Sequence, residues 1–234
     1  MLQSAPLMVI AATAMELPPP PATSAHVAVC CGVGPVDAAA QTARALAVHA
    51  PRAVLHVGIA GARRASGLGP GQVVIGQRAL YHDLLIDARF APRVVEANAA
   101  LLQAAHAALP SAVLRDIGTS ARVGGTTDGG VPSGGVPSSE VTSHAVAGVE
   151  VEAMEGFAVL RACQLAGVPA LEVRVISNAI EEHDRTKWQF AEAFGVLHAL
   201  VPPLLAAFDR TLDRTLDRTL DRTLDRTLDR EPRA

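Results

Sequence analysis

Apolar runs bounded by turn residues alternate along this chain with stretches whose apolar spacing suits helices. Residues 7–14 form an apolar run, residues 72–75 read as a strand, and residues 170–178 read as a buried strand ending in Ser177-Asn178. Residues 156–165 predict a helix closed by Gly167 and Pro169, and residues 190–208 give a second helical pattern broken at Pro202-Pro203. This order belongs to the α/β class, in which ligands bind outside the carboxyl ends of parallel strands. Ser177 and Asn178 occupy such an end.

Composition narrows the picture. The 234 residues are 50% hydrophobic and carry a net charge of −3, enough for one α/β domain with a large core. Mixed charge without a basic cluster or interleaved aromatics argues against nucleic acid as a partner. Three cysteines, Cys30, Cys31 and Cys163, lack zinc spacing and read as buried reduced thiols of a cytoplasmic protein. No positively charged segment precedes residues 7–14, and no apolar run is expected to cross a bilayer. The histidines include no close pair spaced for a metal, so neither metal nor cofactor is expected. His82 beside Asp83 reads as a structural histidine.

The candidate chemistry lies in Glu152-Ala153-Met154-Glu155-Gly156, just before the first predicted helix. A carboxylate can accept hydrogen bonds from both hydroxyls of a ribose, while a methionine packs on the apolar face of the sugar or base. With the strand Arg174-Val175-Ile176-Ser177-Asn178, this stretch resembles the purine nucleoside phosphorylase superfamily, in particular its nucleosidase branch. The resemblance covers about residues 7–203. It takes in a first strand at 7–12, a glycine turn at 31–39 leading into a helix, a second glycine turn at 56–61, and Tyr81-His82-Asp83. It implies a three-layer α/β/α sandwich with a twisted mixed sheet, a small-molecule nucleoside substrate, and a homodimer or higher homo-oligomer.

Phosphorolytic members would place an arginine at position 56 and a serine at 59, after an N-terminal Gly-Asp-Pro-x-Arg loop. This chain has His56, Ile59 and Pro18 to Pro21, and its first lysine or arginine is Arg44. Water is then the remaining nucleophile. Adenine-type nucleosidases end the strand with aspartate, which can protonate a departing base, whereas Asn178 offers a donor and an acceptor suited to a 6-oxopurine. That choice, the Glu152 to Gly156 stretch, and His183-Asp184-Arg185-Thr186-Lys187-Trp188 together resemble futalosine hydrolases, nucleosidases of menaquinone biosynthesis. Asp184 and Trp188 also suit a capped helix start with the indole on the core.

The resemblance implies that Glu155 binds the sugar hydroxyls and stabilises oxocarbenium character, while Asn178 holds the leaving hypoxanthine. Ala60, Gly61, Glu152, Met154 and Ser177 would complete the substrate site. The water-orienting carboxylate is expected at position 18, which is proline, so Glu16 is the nearest candidate, with a surface carboxylate as its alternative reading. An adenine-type nucleosidase and a non-catalytic nucleoside-binding protein remain alternatives.

Residues 1–208 read as one nucleosidase domain containing a low-complexity loop, 124–143, in which Gly-Gly-Val-Pro-Ser occurs twice. No aromatic lies between Phe90 and Phe157 to stack on a base from that loop. Residues 209–234 contain five copies of Thr-Leu-Asp-Arg from 211 to 230, expected to be a frayed helix or a disordered tail.

Overall fold

A computed structural model describes residues 5–19, 26–84, 86–87, 89–122 and 149–228, with side chains of the last helix described through residue 214. Its strands are β1 (Leu7–Ala11), β2 (His26–Cys30), β3 (Ala53–Ala62), β4 (Val73–Tyr81), β5 (Val94–Glu96), β6 (Val113–Thr119), β7 (Val151–Ala153) and β8 (Ala170–Ala179). The helices are α1 (Pro35–His49), α2 (Ala99–Ala108), α3 (Gly156–Leu165) and α4 (Phe190–Leu228). The expected low-complexity loop falls outside the described residues.

The sheet is mixed. β1 pairs in parallel with β2 and β3, and β3 in parallel with β8, while β8 meets β4 antiparallel. β7 joins the end of β3 antiparallel and pairs in parallel with β6, which continues in parallel to β4. Thus β3, β7, β6, β4 and β8 form a closed circuit of pairings.

Alternate residues of the central strands feed two cores, as the period of two requires. Val9, Leu55, Val57, Leu171 and Val173 join Leu101, Ala105, Leu197, Leu204 and Phe208 from α2 and α4. Met8, Ile10, Val54 and Ala170 join Ala38 and Leu46 from α1 and Val159 and Cys163 from α3. Two helices on each face give the expected α/β/α layering.

Several local expectations change. Pro202 and Pro203 lie inside continuous α4 rather than breaking it. Tertiary packing of Leu197, Leu200, Val201, Leu204 and Phe208 outweighs the lost backbone bonds. Within α4, Phe190–Arg214 is long and apolar enough to cross a membrane, contrary to expectation. Those same buried side chains make it a core helix. Residues 56–61 belong to β3 and not to a turn. Cys30 is exposed on β2, while Cys31 and Cys163 are buried. Burial pushes both thiols up to about 12, helped at Cys31 by Glu155, so neither supplies a thiolate.

Candidate active site

The carboxyl ends of β1, β3 and β8 converge with the entry to α3 on a cavity of about 410 Å³. Its lining brings together Glu16, Ala60, Gly61, Glu152, Met154, Glu155, Ser177 and Asn178, the eight residues expected to form the catalytic and substrate site. The helix start that aims Glu155 is built locally. Thr119 Oγ1 accepts from Phe157 N at 2.7 Å, satisfying one orphan amide of α3. Glu155 is the N-cap residue, yet its side chain makes no capping bond. Instead Oε1 accepts from Gly34 N at 3.0 Å, and Oε2 lies 3.5 Å from Arg174 Nη2. Gly34 reaches this position at φ 90°, a backbone conformation that glycine tolerates and a β-carbon strains.

Glu16 is 5% exposed. It is therefore not a surface carboxylate. One oxygen accepts from Thr13 N at 2.9 Å and Thr13 Oγ1 at 3.0 Å, and the other from Ile59 N at 3.1 Å. A buried carboxylate needs such donors to replace water. Thr13 lies three residues before Glu16, so the turn after β1 supplies two of them.

Beneath the cavity lies a charged cluster that residue-by-residue reading missed. Arg174, fully buried, donates from Nε to Glu172 Oε1 at 2.8 Å, and its Nη2 lies 2.5 Å from His56 Nε2. Register explains the grouping, because His56 pairs with Glu172 and Gly58 with Arg174 across β3 and β8. Gly58 leaves the space a guanidinium needs, since a β-carbon there would stand 2.1 Å from Arg174 Nη1 and 2.9 Å from Glu16 Oε1. Gly156 makes room likewise for Glu172. Burial raises the Glu172 pKa although Arg174 opposes the shift. At Arg174 burial favours the neutral form, but Glu172, Glu155 and Glu16 outweigh it and hold the guanidinium charged. The signal was available: Glu172 and Arg174 alternate inside an otherwise apolar strand.

At the far end of the cavity, Ser177 Oγ lies 2.8 Å from Asn178 Oδ1 and 3.3 Å from Ala60 O, so its single hydroxyl proton can serve either acceptor. Asn178 Nδ2 donates to Ala179 O at 2.8 Å. Gly61 keeps this corner open, because a β-carbon would approach Asn178 Nδ2 to 3.2 Å. Glu152 pairs with Arg63 at 3.1 Å. His82 and Asp83 lie outside the cavity lining, where Asp83 accepts from Ser120 Oγ at 3.1 Å. Among the described residues, no group of three His, Cys, Asp or Glu side chains could hold a metal ion.

Residues 23–206 match the model of the phosphorylase superfamily, most of the chain. The chain belongs to the phosphorylase superfamily. A futalosine hydrolase of Streptomyces coelicolor is 46% identical over 50 residues, so the match spans 21% of this superfamily member and 21% of that relative's length. Among solved structures, a methylthioadenosine/S-adenosylhomocysteine nucleosidase from Colwellia psychrerythraea in complex with adenine is similar at TM-score 0.67 and 21% identity. That match covers 88% of this chain and 96% of the other. The native futalosine hydrolase of Helicobacter pylori is similar at TM-score 0.64 and 16% identity, with 89% and 97% covered. At these identities the structural likeness shows the fold of this superfamily member.

Proposed function

We propose that this superfamily member hydrolyses the N-glycosidic bond of futalosine, releasing hypoxanthine and dehypoxanthine futalosine in menaquinone biosynthesis. The observation that carries the reading is the shared cavity of Glu155, Glu16 and Asn178, with no phosphate-binding arginine at position 56. The short but strong likeness to a futalosine hydrolase supports the choice of substrate.

In this reading Glu155 accepts from the ribose hydroxyls and, with its negative charge, stabilises the oxocarbenium-like transition state. Gly34 N and Arg174 fix its two oxygens beforehand, so little reorganisation is needed. Met154 packs against the sugar, and Glu152 completes the polar wall. Glu16 orients water toward the anomeric carbon and takes its proton; its three present donors fix its direction. Asn178 and Ser177 hold the departing base. Asparagine supplies no proton, which suits a 6-oxopurine better than adenine. The nucleosidase domain is taken as residues 1–208 with the repeat tail appended, acting in the cytoplasm as a homo-oligomer.

Chromatography of phosphate-free reactions with futalosine, inosine and methylthioadenosine tests this. Hypoxanthine from futalosine is the expected product. Adenine from methylthioadenosine alone, or cleavage that requires phosphate, would overturn the reading.

A further inference from the structure

Glu155 stands at the N-cap of α3, the position whose side chain ordinarily accepts from the first free amides of a helix. Its carboxylate does not. Its oxygens face Gly34 N and Arg174 Nη2 instead, and the residue lines the cavity. Its backbone, at φ −122° and ψ −25°, lies outside the extended region that capping residues ordinarily adopt. The amide left over, Phe157 N, is met from another strand. Thr119 Oγ1 of β6 accepts from it at 2.7 Å, across 38 residues of sequence.

Thr119 is fully buried, and its own strand fixes it. β6 pairs it with Tyr81 of β4 and with Ala153 of β7. Thr119 O accepts from His82 N at 2.9 Å, and Ser120 N donates to Ala153 O at 3.0 Å. The helix start is held against the same strands by Phe157, whose ring centroid lies 5.1 Å from that of Tyr81. Thr119 itself lies outside the cavity lining. Any effect it has on a ligand must therefore pass through α3.

We propose that Thr119 is a positioning residue: by capping α3 from β6, it leaves the carboxylate at the N-cap, that of Glu155, available to the ribose hydroxyls. What Glu155 binds rests on the nucleoside reading above; which side chain caps α3 does not. A buried amide without an acceptor is costly, and the start of a helix attracts negative charge. Without Thr119 Oγ1, the carboxylate two residues ahead of Phe157 is drawn back toward that amide. It can answer only by leaving Gly34 N and the cavity.

Thr119→Val removes the hydroxyl and keeps the shape, whereas Thr119→Ser keeps the hydroxyl. Trp188, the sole tryptophan and a lining residue, reports binding by its fluorescence. Titrations taken before turnover give Kd for inosine and 2′-deoxyinosine, which differ by one hydroxyl that Glu155 accepts from. The wild type is expected to favour inosine by at least about tenfold. That preference should fall to about threefold or less in Thr119→Val and return in Thr119→Ser. A general defect of the fold would weaken both nucleosides alike and leave the ratio in place.

Melting temperatures without ligand test the capping itself. Thr119→Val alone should lower the melting temperature by about 2–4 °C at most. In a Glu155→Ala background the same change should lower it further, because no carboxylate is there to take over the amide. A ratio unchanged in Thr119→Val, or a drop no larger in the Glu155→Ala background, would overturn the proposal. Absence of binding, or of ribose preference, in the wild type removes the nucleoside reading instead, and the melting comparison then decides for or against Thr119 alone.

Discussion

His56 Nε2 accepts a hydrogen bond from Arg174 Nη2 at 2.5 Å, deep beneath the site where both residues are fully buried. A guanidinium has no acceptor, so the ring must keep its proton on Nδ1, which donates to Ile10 O at 3.0 Å. Burial first, and then the charge of Arg174, hold the imidazole pKa well below 6.5. The folded protein keeps this ring neutral where the unfolded chain protonates. Its contribution is retained above pH 6.5 and lost as pH falls through that value toward the folded pKa. The slope from one such group is about 1.4 kcal/mol per pH unit. His56→Gln preserves an acceptor without a titrating group. Urea midpoints at pH 7.5 and 5.5 should fall further apart in the wild type than in the variant; equal differences would rule out His56 as the source.

Glu172 poses the opposite question, whether its charge is needed at all. Oε1 accepts from Arg174 Nε, while Oε2 has no hydrogen-bond partner among the described residues, and burial raises the pKa. Glu172→Gln retains the acceptor and is expected to fold within about 1 kcal/mol of the wild type. Glu172→Ala leaves Arg174 Nε unpaired and should cost about 3–5 kcal/mol. Equal losses in the two variants, read by denaturant titration, would show that the charge itself holds the cluster.

Two glycines should respond oppositely to alanine. At Gly58 the new methyl group meets both Arg174 and Glu16, so Gly58→Ala is expected to cost about 1–3 kcal/mol and more than about a hundredfold in activity. Gly195 lies inside α4, where an added β-carbon would meet nothing within 4 Å, and Gly195→Ala should stabilise by about 1 kcal/mol. Thermal melts of the pair check both signs. A tolerated Gly58→Ala would mean that Arg174 can relocate without loss.

Local sequence cues were sufficient for α3, bounded by Gly167 and Pro169, and for β8, whose buried residues form one unbroken run. They failed where a residue's meaning depends on a neighbour distant in sequence. Gly58 and Gly61 suggested a turn, but β3 uses them to admit Arg174 and Asn178 from β8. Glu16 appeared misplaced by counting from the family's glutamate. Its direction is set by Thr13 and Ile59, and only the second is distant in sequence. The aromatic lining of the cavity, Trp188, Phe190 and Phe194, was half legible. Trp188 stood out, but its contact with Phe190 and Phe194 depends on how the short 3₁₀ turn Arg185–Lys187 enters α4.

The repeat tail should be dispensable. Arg52 binds Asp209 and Asp213 at the start of the repeats, and Leu212 is, among the described side chains, the last packed against the core. These partners are partly exposed, so the pairs are worth at most about 1 kcal/mol each. Ending the chain after Arg214 retains all of them. Unchanged kcat and KM are expected, with a melting temperature close to that of the full chain; lost activity would assign the later repeats a role in the site.

Asn178→Asp should move the enzyme toward 6-aminopurines. In the present geometry Nδ2 donates to Ala179 O at 2.8 Å, so a carboxylate oxygen at that position would face a carbonyl oxygen. Repulsion and burial both favour the protonated acid, which can donate either to Ala179 O or to a departing base. The proton is useful for adenine, whose departure benefits from protonation, and of less use for a 6-oxopurine. Adenine release from methylthioadenosine is expected to rise at least about tenfold relative to hypoxanthine release, and to rise further as pH is lowered within the range where the fold persists. Parallel chromatography of both purines across that range tests the claim. A product ratio that does not change would show that Asn178 does not govern which base leaves.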